Sequence, residues 1–197
     1  TKEKRSYNDD IARPKFAIMN PELTMTLPDY QTESGCTDIM MHTMERYFVE
    51  EDSINFTDEI AFGLLKAVIK AGKKVMENPN DFEARASLML ASSFSHNGLT
   101  GMGTKMYFTV HRLEHVLSGT YDNVSHGAGL AVLFPAWAKW VYPKLETKLN
   151  FLAIKPSKTS VRPEIVKNTI PKTTIIPKIP TTTFKIFFIN ITFSSTI

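Results

Sequence analysis

The chain has 197 residues, 22% charged and 43% hydrophobic, with a formal net charge of +3. That length can bury a substantial core, and so even a charge balance gives no reason to expect nucleic acid or an anionic membrane surface as partner. Cys36 is the single cysteine, which excludes an internal disulfide or a zinc ribbon; no apolar run reaches the roughly 18 residues of a membrane span, so a soluble cytoplasmic protein is expected.

In chain order, residues 1–30 begin polar and then read KFAIMNPELTMTLPDY. Lys15 to Met19 is expected as a short strand, with Pro21 and Pro28 bracketing a loop because each fixes its own φ and turns the preceding residue away from helix. A lone strand is not stable, so this one implies a sheet elsewhere.

From Thr32 to Tyr142 the pattern is helical. Ile39, Met40, Met44, Tyr47 and Phe48 recur at three-and-four spacing and mark a buried stripe. Thr57 with Asp58 and Glu59 reads as the N-cap and acidic first turn of a second helix, which Asn78 and Pro79 close. Asn80 or Asp81 opens a third, with Gly98 as its stop. TKMYFTVHRLEHVLSG is a fourth helix, ending near Gly119. Ser125 caps a fifth, which Pro135 kinks or restarts. The expected fold class is mainly α: a helical bundle with one N-terminal strand and an irregular Pro/Thr/Ile-rich tail.

Beyond about Lys144 the composition changes: all nine glycines and all five histidines lie before residue 130, and five of the eleven prolines fall between Pro156 and Pro180. The division is therefore residues 1–30, 31–144 and 145–197. The tail is read either as aberrant translation of an AT-rich gene or as a genuine disordered Pro/Thr-rich segment, and FKIFFINITF within it is an aggregation hazard if exposed.

The chemistry is concentrated in the histidines. Positions i and i+4 share a helix face, so Asp38 and His42 project together, as do His111 and His115. Unpaired polar groups buried on such helices cost roughly 1–3 kcal/mol each. One carboxylate with two or three imidazoles is a common shell for zinc or ferrous iron, and His126, beside Gly127 and Gly129, can complete it. Against this, an HxxxH spacing by itself is more often structural than a site. HRLEH is also not HExxH, so Glu114 is no zinc-protease base and is read as solvated or as supporting a ligand from behind. His96 is read as a helix C-cap or a pocket-lining residue, and Met40, Met41 and Met44 as core.

RPKFAIMNPELTMTLPDYQTESGCTDIMMHTMERYF, then SHNGLTGMG, then HRLEHVLSGTYDNVSHGAGLAVLFPAWAKWVY strongly resemble the iron-containing (group III) alcohol dehydrogenases of the butanol dehydrogenase branch, over residues 12–143. In that family a nucleotide-binding α/β domain with a GGGS turn precedes an all-helical metal domain of the dehydroquinate synthase-like fold. The resemblance implies that this chain holds the helical domain and a remnant of the first. It places metal ligands at Asp38, His42, His111 and His126, a proton relay at His115, and contacts to the nicotinamide cofactor at Leu23, Thr26 and Leu27. One departure is that the interval from His111 to His126 is one residue longer than in many members, an insertion the TYDNVSH loop can absorb.

The implied activity is hydride transfer between a primary alcohol or aldehyde of butanol-like size and NAD(P)H, with Fe2+ or Zn2+ as Lewis acid and a homodimer as the assembly of the intact family member. Two other readings stand beside it: a non-catalytic helical metal-binding fragment, since neither GGGS nor GxGxxG occurs in these residues, and a stand-alone interaction module.

Overall fold

A computed structural model of the chain describes residues 5, 7, 9–50 and 54–154. The expectations for residues 155–197, including the apolar FKIFFINITF segment, lie outside the described residues. Regular structure among the described residues is helical: α1 (Asp29–Tyr47), α2 (Asn55–Glu77), α3 (Phe82–His96), α4 (Thr109–Thr120) and α5 (His126–Ile154), with short 3-10 turns at Asp10–Ala12, Pro21–Thr24 and Leu99–Gly101. No described helix is long and apolar enough to cross a membrane.

α1 is the centre of the bundle. It packs against α2, α3 and α5, while α3 lies on α2, and α4 lies on α5. The stripe read from the sequence is buried as expected, and Met40 and Met41 are fully enclosed with Leu65, Val68, Val75, Val110 and Leu130 around them. α1 is nevertheless a polar helix, burying Thr32, Glu33, Thr37, Thr43, Glu45 and Arg46 as well. Local bonds satisfy some of these: the Thr37 and Thr43 hydroxyls donate to the carbonyls one turn back, and Arg85 of α3 donates to the Thr32 hydroxyl at 3.0 Å.

The helix signals hold in part. The Asp81 carboxylate accepts from Ala84 N–H at 2.9 Å and caps α3, and Gly98, at φ +91°, supplies the left-handed residue after its end. Thr57 is not the N-cap of α2. The helix begins at Asn55 instead, and the Thr57 hydroxyl donates to the Met102 carbonyl, a tertiary bond outweighing the local cap. The fourth helix begins only at Thr109, because Phe108 takes a left-handed conformation at φ 48° and interrupts the chain there.

Ser125 occupies the position before α5, but its hydroxyl pairs with Ser34 of α1 at 2.8 Å and with Tyr30 at 3.1 Å. α5 runs through Pro135 and Pro143 to Ile154 and departs from helical dihedrals at Leu145, so the break expected at Pro135 lies ten residues later. The helix therefore continues past residue 144, where the sequence pattern changes. Lys15 to Met19 forms no strand: Phe16 and Ile18 are exposed and no ladder partner exists among the described residues, which is what a strand without its sheet must do.

Candidate metal centre

Three helices deliver the site. The fourth and seventh residues after Asp38 on α1 are His42 and Glu45, one continuous face of that helix. α4 contributes His111, Glu114 and His115, and the first residue of α5 is His126. α5 can approach α1 closely because Gly127 lies on the Ser34 backbone, where a Cβ would collide with the Ser34 carbonyl.

These side chains converge on one carboxylate. The Nε2 atoms of His111 and His126 each lie 3.4 Å from Asp38 Oδ1, and that of His42 lies 3.6 Å from the same oxygen. His96, at the end of α3, puts its Nε2 3.4 Å from Asp38 Oδ2 and its ring 3.7 Å from that of His42. His96 thus does both things the sequence left open: its Nδ1 bonds the Ser92 carbonyl one turn back, at 2.8 Å, and its other nitrogen faces the site. His115 stands at the edge, exposed, with its ring 5.2 Å from that of His126.

Two buried glutamates close the back. Glu45 accepts from the Val110 and His111 backbone N–H groups at 2.6 and 3.1 Å, capping α4 from a neighbouring helix, and also bonds His111 Nδ1. Glu114, fully buried, bonds His126 Nδ1, so its solvated reading is overturned. Arg46 is buried too, donating to the carbonyls of His42 and Ser95 with its guanidinium 4.9 Å from the Phe108 ring centre.

Burial by itself would raise the Asp38 carboxyl, but hydrogen bonds from His111, His126 and His96 and the charge at His42 outweigh it and hold the group well below the usual carboxylate range. Burial, then the positive neighbour His111, pushes His42 down to about 3, so its imidazole is neutral and keeps a lone pair at ordinary pH. Burial opposes protonation of His126, but Asp38 and Glu114 outweigh it and raise the ring to about 9; His111 is likewise raised, by Asp38 and Glu45 against burial.

This donor set fits a divalent cation. A backbone carbonyl can only accept, and so can an ionised carboxylate, so the bonds at Nδ1 put a proton there on His96, His111 and His126. In a neutral ring the lone pair is then on Nε2, the atom that faces Asp38. Acceptor would face acceptor at 3.4 Å unless a proton or a metal ion lies between them. Ligands held about 2.1 Å from a tetrahedral ion stand about 3.4 Å apart, which matches that spacing. His42 Nδ1 is buried without a partner, so the ring contributes through its other nitrogen. The donor atoms of Asp38, His42 and His111 all lie within 4.8 Å of one another; a second trio, Glu114, His115 and His126, meets the same limit, but there the Glu114–His126 pair is already closed by its hydrogen bond.

Residues 32–167 match the sequence profile described as Fe-containing alcohol dehydrogenase family, C-terminal. The chain belongs to the Fe-containing alcohol dehydrogenase family. Among curated relatives, the NADH-dependent butanol dehydrogenase A of Clostridium acetobutylicum is 44% identical over 141 residues, which is 72% of this chain and 36% of that enzyme. The NADPH-dependent aldehyde reductase YqhD of Escherichia coli is 32% identical over 136 residues, 69% of this chain and 35% of that protein. Among solved structures, the NADH-dependent butanol dehydrogenase A of Thermotoga maritima superposes with a TM-score of 0.76 at 36% identity, covering 84% of this chain and 41% of that one. The chain thus spans little more than a third of the curated relatives it matches, and the part it shares is the helical, C-terminal part of the iron-containing alcohol dehydrogenase fold.

Of the residues singled out from sequence, Asp38, His42, His111 and His126 come together, and His115 stands beside His126. Leu23, Thr26 and Leu27 do not join them; they are exposed on and just after the Pro21–Thr24 turn, which packs on α3. Sequence reasoning missed Glu45, although its place seven residues after Asp38 was a usable signal. It missed Arg46 too, although Arg46 follows His42 by four on α1, and it had no means to pair Phe108 with the site, since that residue precedes α4 and lies on no helix face.

Proposed function

We propose that this chain carries the metal-holding half of an NAD(P)-dependent alcohol or aldehyde oxidoreductase acting on small primary alcohols and aldehydes, with Asp38, His42, His111 and His126 holding Fe2+ or Zn2+. The observation that carries the reading is the convergence of three neutral-capable imidazole Nε2 atoms on Asp38 Oδ1 at 3.4–3.6 Å. The Clostridium butanol dehydrogenase and the Escherichia aldehyde reductase supply the reaction class.

A cation held there supplies Lewis acidity toward the alcohol or aldehyde oxygen, and the nicotinamide cofactor supplies or accepts the hydride. The chain's own residues do the rest. Asp38 brings negative charge to the centre, and the buried faces of α1 and α4 keep His42 and His111 out of bulk water. His115, exposed next to His126, takes the hydroxyl proton on an imidazole nitrogen during oxidation and hands it to solvent; in reduction it returns it. Leu23, Thr26 and Leu27 form the face turned to the nicotinamide, consistent with their exposure.

His111→Ala removes a ligand and the partner of Glu45 together. Metal content of the purified chain, measured by mass spectrometry after loading with Fe2+ or Zn2+, is expected to fall from stoichiometric to background in that variant; retained stoichiometric metal overturns the assignment.

A further inference from the structure

We infer that Glu45 and Glu114 are positioning residues that hold His111 and His126 as ligands, each by accepting a hydrogen bond from Nδ1–H and so directing the ring's Nε2 lone pair at the centre. The inference rests on the metal reading above and adds to it two residues outside the ligand set.

The arrangement is the same twice over, from different helices. His111 lies between Asp38 on its Nε2 side and Glu45 on its Nδ1 side; His126 lies between Asp38 and Glu114. Each glutamate is buried, 4% exposed for Glu45 and 0% for Glu114, where a polar side chain left without hydrogen-bond partners is costly. Glu45 has three such bonds, including the two backbone N–H groups that open α4, so one carboxylate fixes both the helix carrying His111 and the rotation of its ring. Glu114 is fixed from the other direction: Gly129 of α5 sits against its side chain, and a Cβ there would lie 2.7 Å from Glu114 Cγ. The missing side chain at Gly129 is the space the glutamate uses to reach His126.

A carboxylate behind a ligating imidazole selects the tautomer, stops ring rotation and raises the basicity of the donor nitrogen. Removing such a partner typically costs 10–100-fold in metal affinity. The two residues differ as experimental subjects. In Glu45→Gln the amide N–H group replaces one oxygen and so faces either the Val110 or the His111 donors, so α4 loses part of its cap and misfolding is the expected complication. Glu114→Gln keeps size and one acceptor and removes the charge; Glu114→Ala removes the acceptor as well.

The test uses the full 197-residue chain, stripped with a chelator and titrated with Co2+, whose absorption bands report ligand number and geometry. The expected result is weakening of Co2+ binding by 10–100-fold in Glu114→Ala, with a smaller loss in Glu114→Gln and a shifted band in both. The imidazole N–H proton spectrum gives an independent readout: wild type should show a strongly hydrogen-bonded His126 Nδ1–H, with or without metal, which moves upfield in Glu114→Gln. A purely structural glutamate would lower the melting temperature of the metal-free variants and leave band position and N–H shift unchanged. Unchanged Co2+ affinity in Glu114→Ala, or a wild-type His126 without a bonded Nδ1–H, overturns the inference while leaving the metal centre standing. A wild-type chain that takes up no Co2+ overturns the metal reading and the inference with it.

Discussion

Tyr47 shows how one side chain at the end of α1 couples the bundle to pH. It is buried against Phe48 and Phe62, and burial, with the Asp58 charge adding to it, pushes its phenol from 10.0 up to about 12. The folded state therefore binds this proton more tightly than the unfolded one. Stability from the difference is complete below pH 10, declines as the unfolded phenol ionises, and is lost as pH rises through about 12. Urea midpoints measured across that interval should fall for the wild type, and Tyr47→Phe should flatten the fall; an equal slope in the variant would show that the phenol stays protonated by neither burial nor charge. At this scale the sequence was most informative about candidate site residues. Asp38 with His42 and His111 with His115 are visible because helix periodicity turns a spacing of four into a shared face. His96 and Glu114 were visible as residues but not as neighbours of Asp38 and His126, because those contacts cross between helices.

Among the elements, the contact of α5 with α1 decides whether the site exists. His126 reaches Asp38 only if the start of α5 lies against Ser34, and Gly127 permits that approach. Gly127→Ala should force the helices apart and destabilise the chain by about 1–3 kcal/mol, read from chemical denaturation, while also weakening metal uptake because His126 moves with its helix. An alanine variant with wild-type stability would mean that the close approach relaxes at no cost. The boundaries of elements were the part least legible in advance. Thr57 has the chemistry of an N-cap but spends its hydroxyl on Met102, and Pro135 has the chemistry of a break but lies inside a continuing helix. Asp81 and Gly98, where no tertiary partner competes, behave as their local chemistry dictates.

On the scale of the whole molecule, the described residues supply a cluster of side chains that could hold a metal ion and helical packing, and their apolar surface includes Phe16, Ile18, Leu23 and Trp140. The relatives are longer, and neither GGGS nor GxGxxG occurs in this sequence. The purified 197-residue chain is accordingly expected to leave NADH fluorescence unchanged at micromolar concentrations while still taking up metal; tight NADH binding would contradict the reading that these residues alone lack a nucleotide site. The same measurement separates a metal-binding helical segment from a catalytically sufficient chain.

The sequence by itself determined the helical class, the buried stripe of α1, the likeness to a metal-dependent dehydrogenase and the identity of the four ligand candidates. The first two depend on periodicity within a helix, which is local; the likeness, and with it the four ligand candidates, depends on separated motifs that follow in order along residues 12–143. The tertiary structure decided which nitrogen of each histidine faces Asp38, that Glu45 and Glu114 stand behind two of them, and that His96 joins from α3. Those are relations between helices, set by how closely backbones approach at Gly127 and Gly129, and helix spacing along the chain carries no record of them.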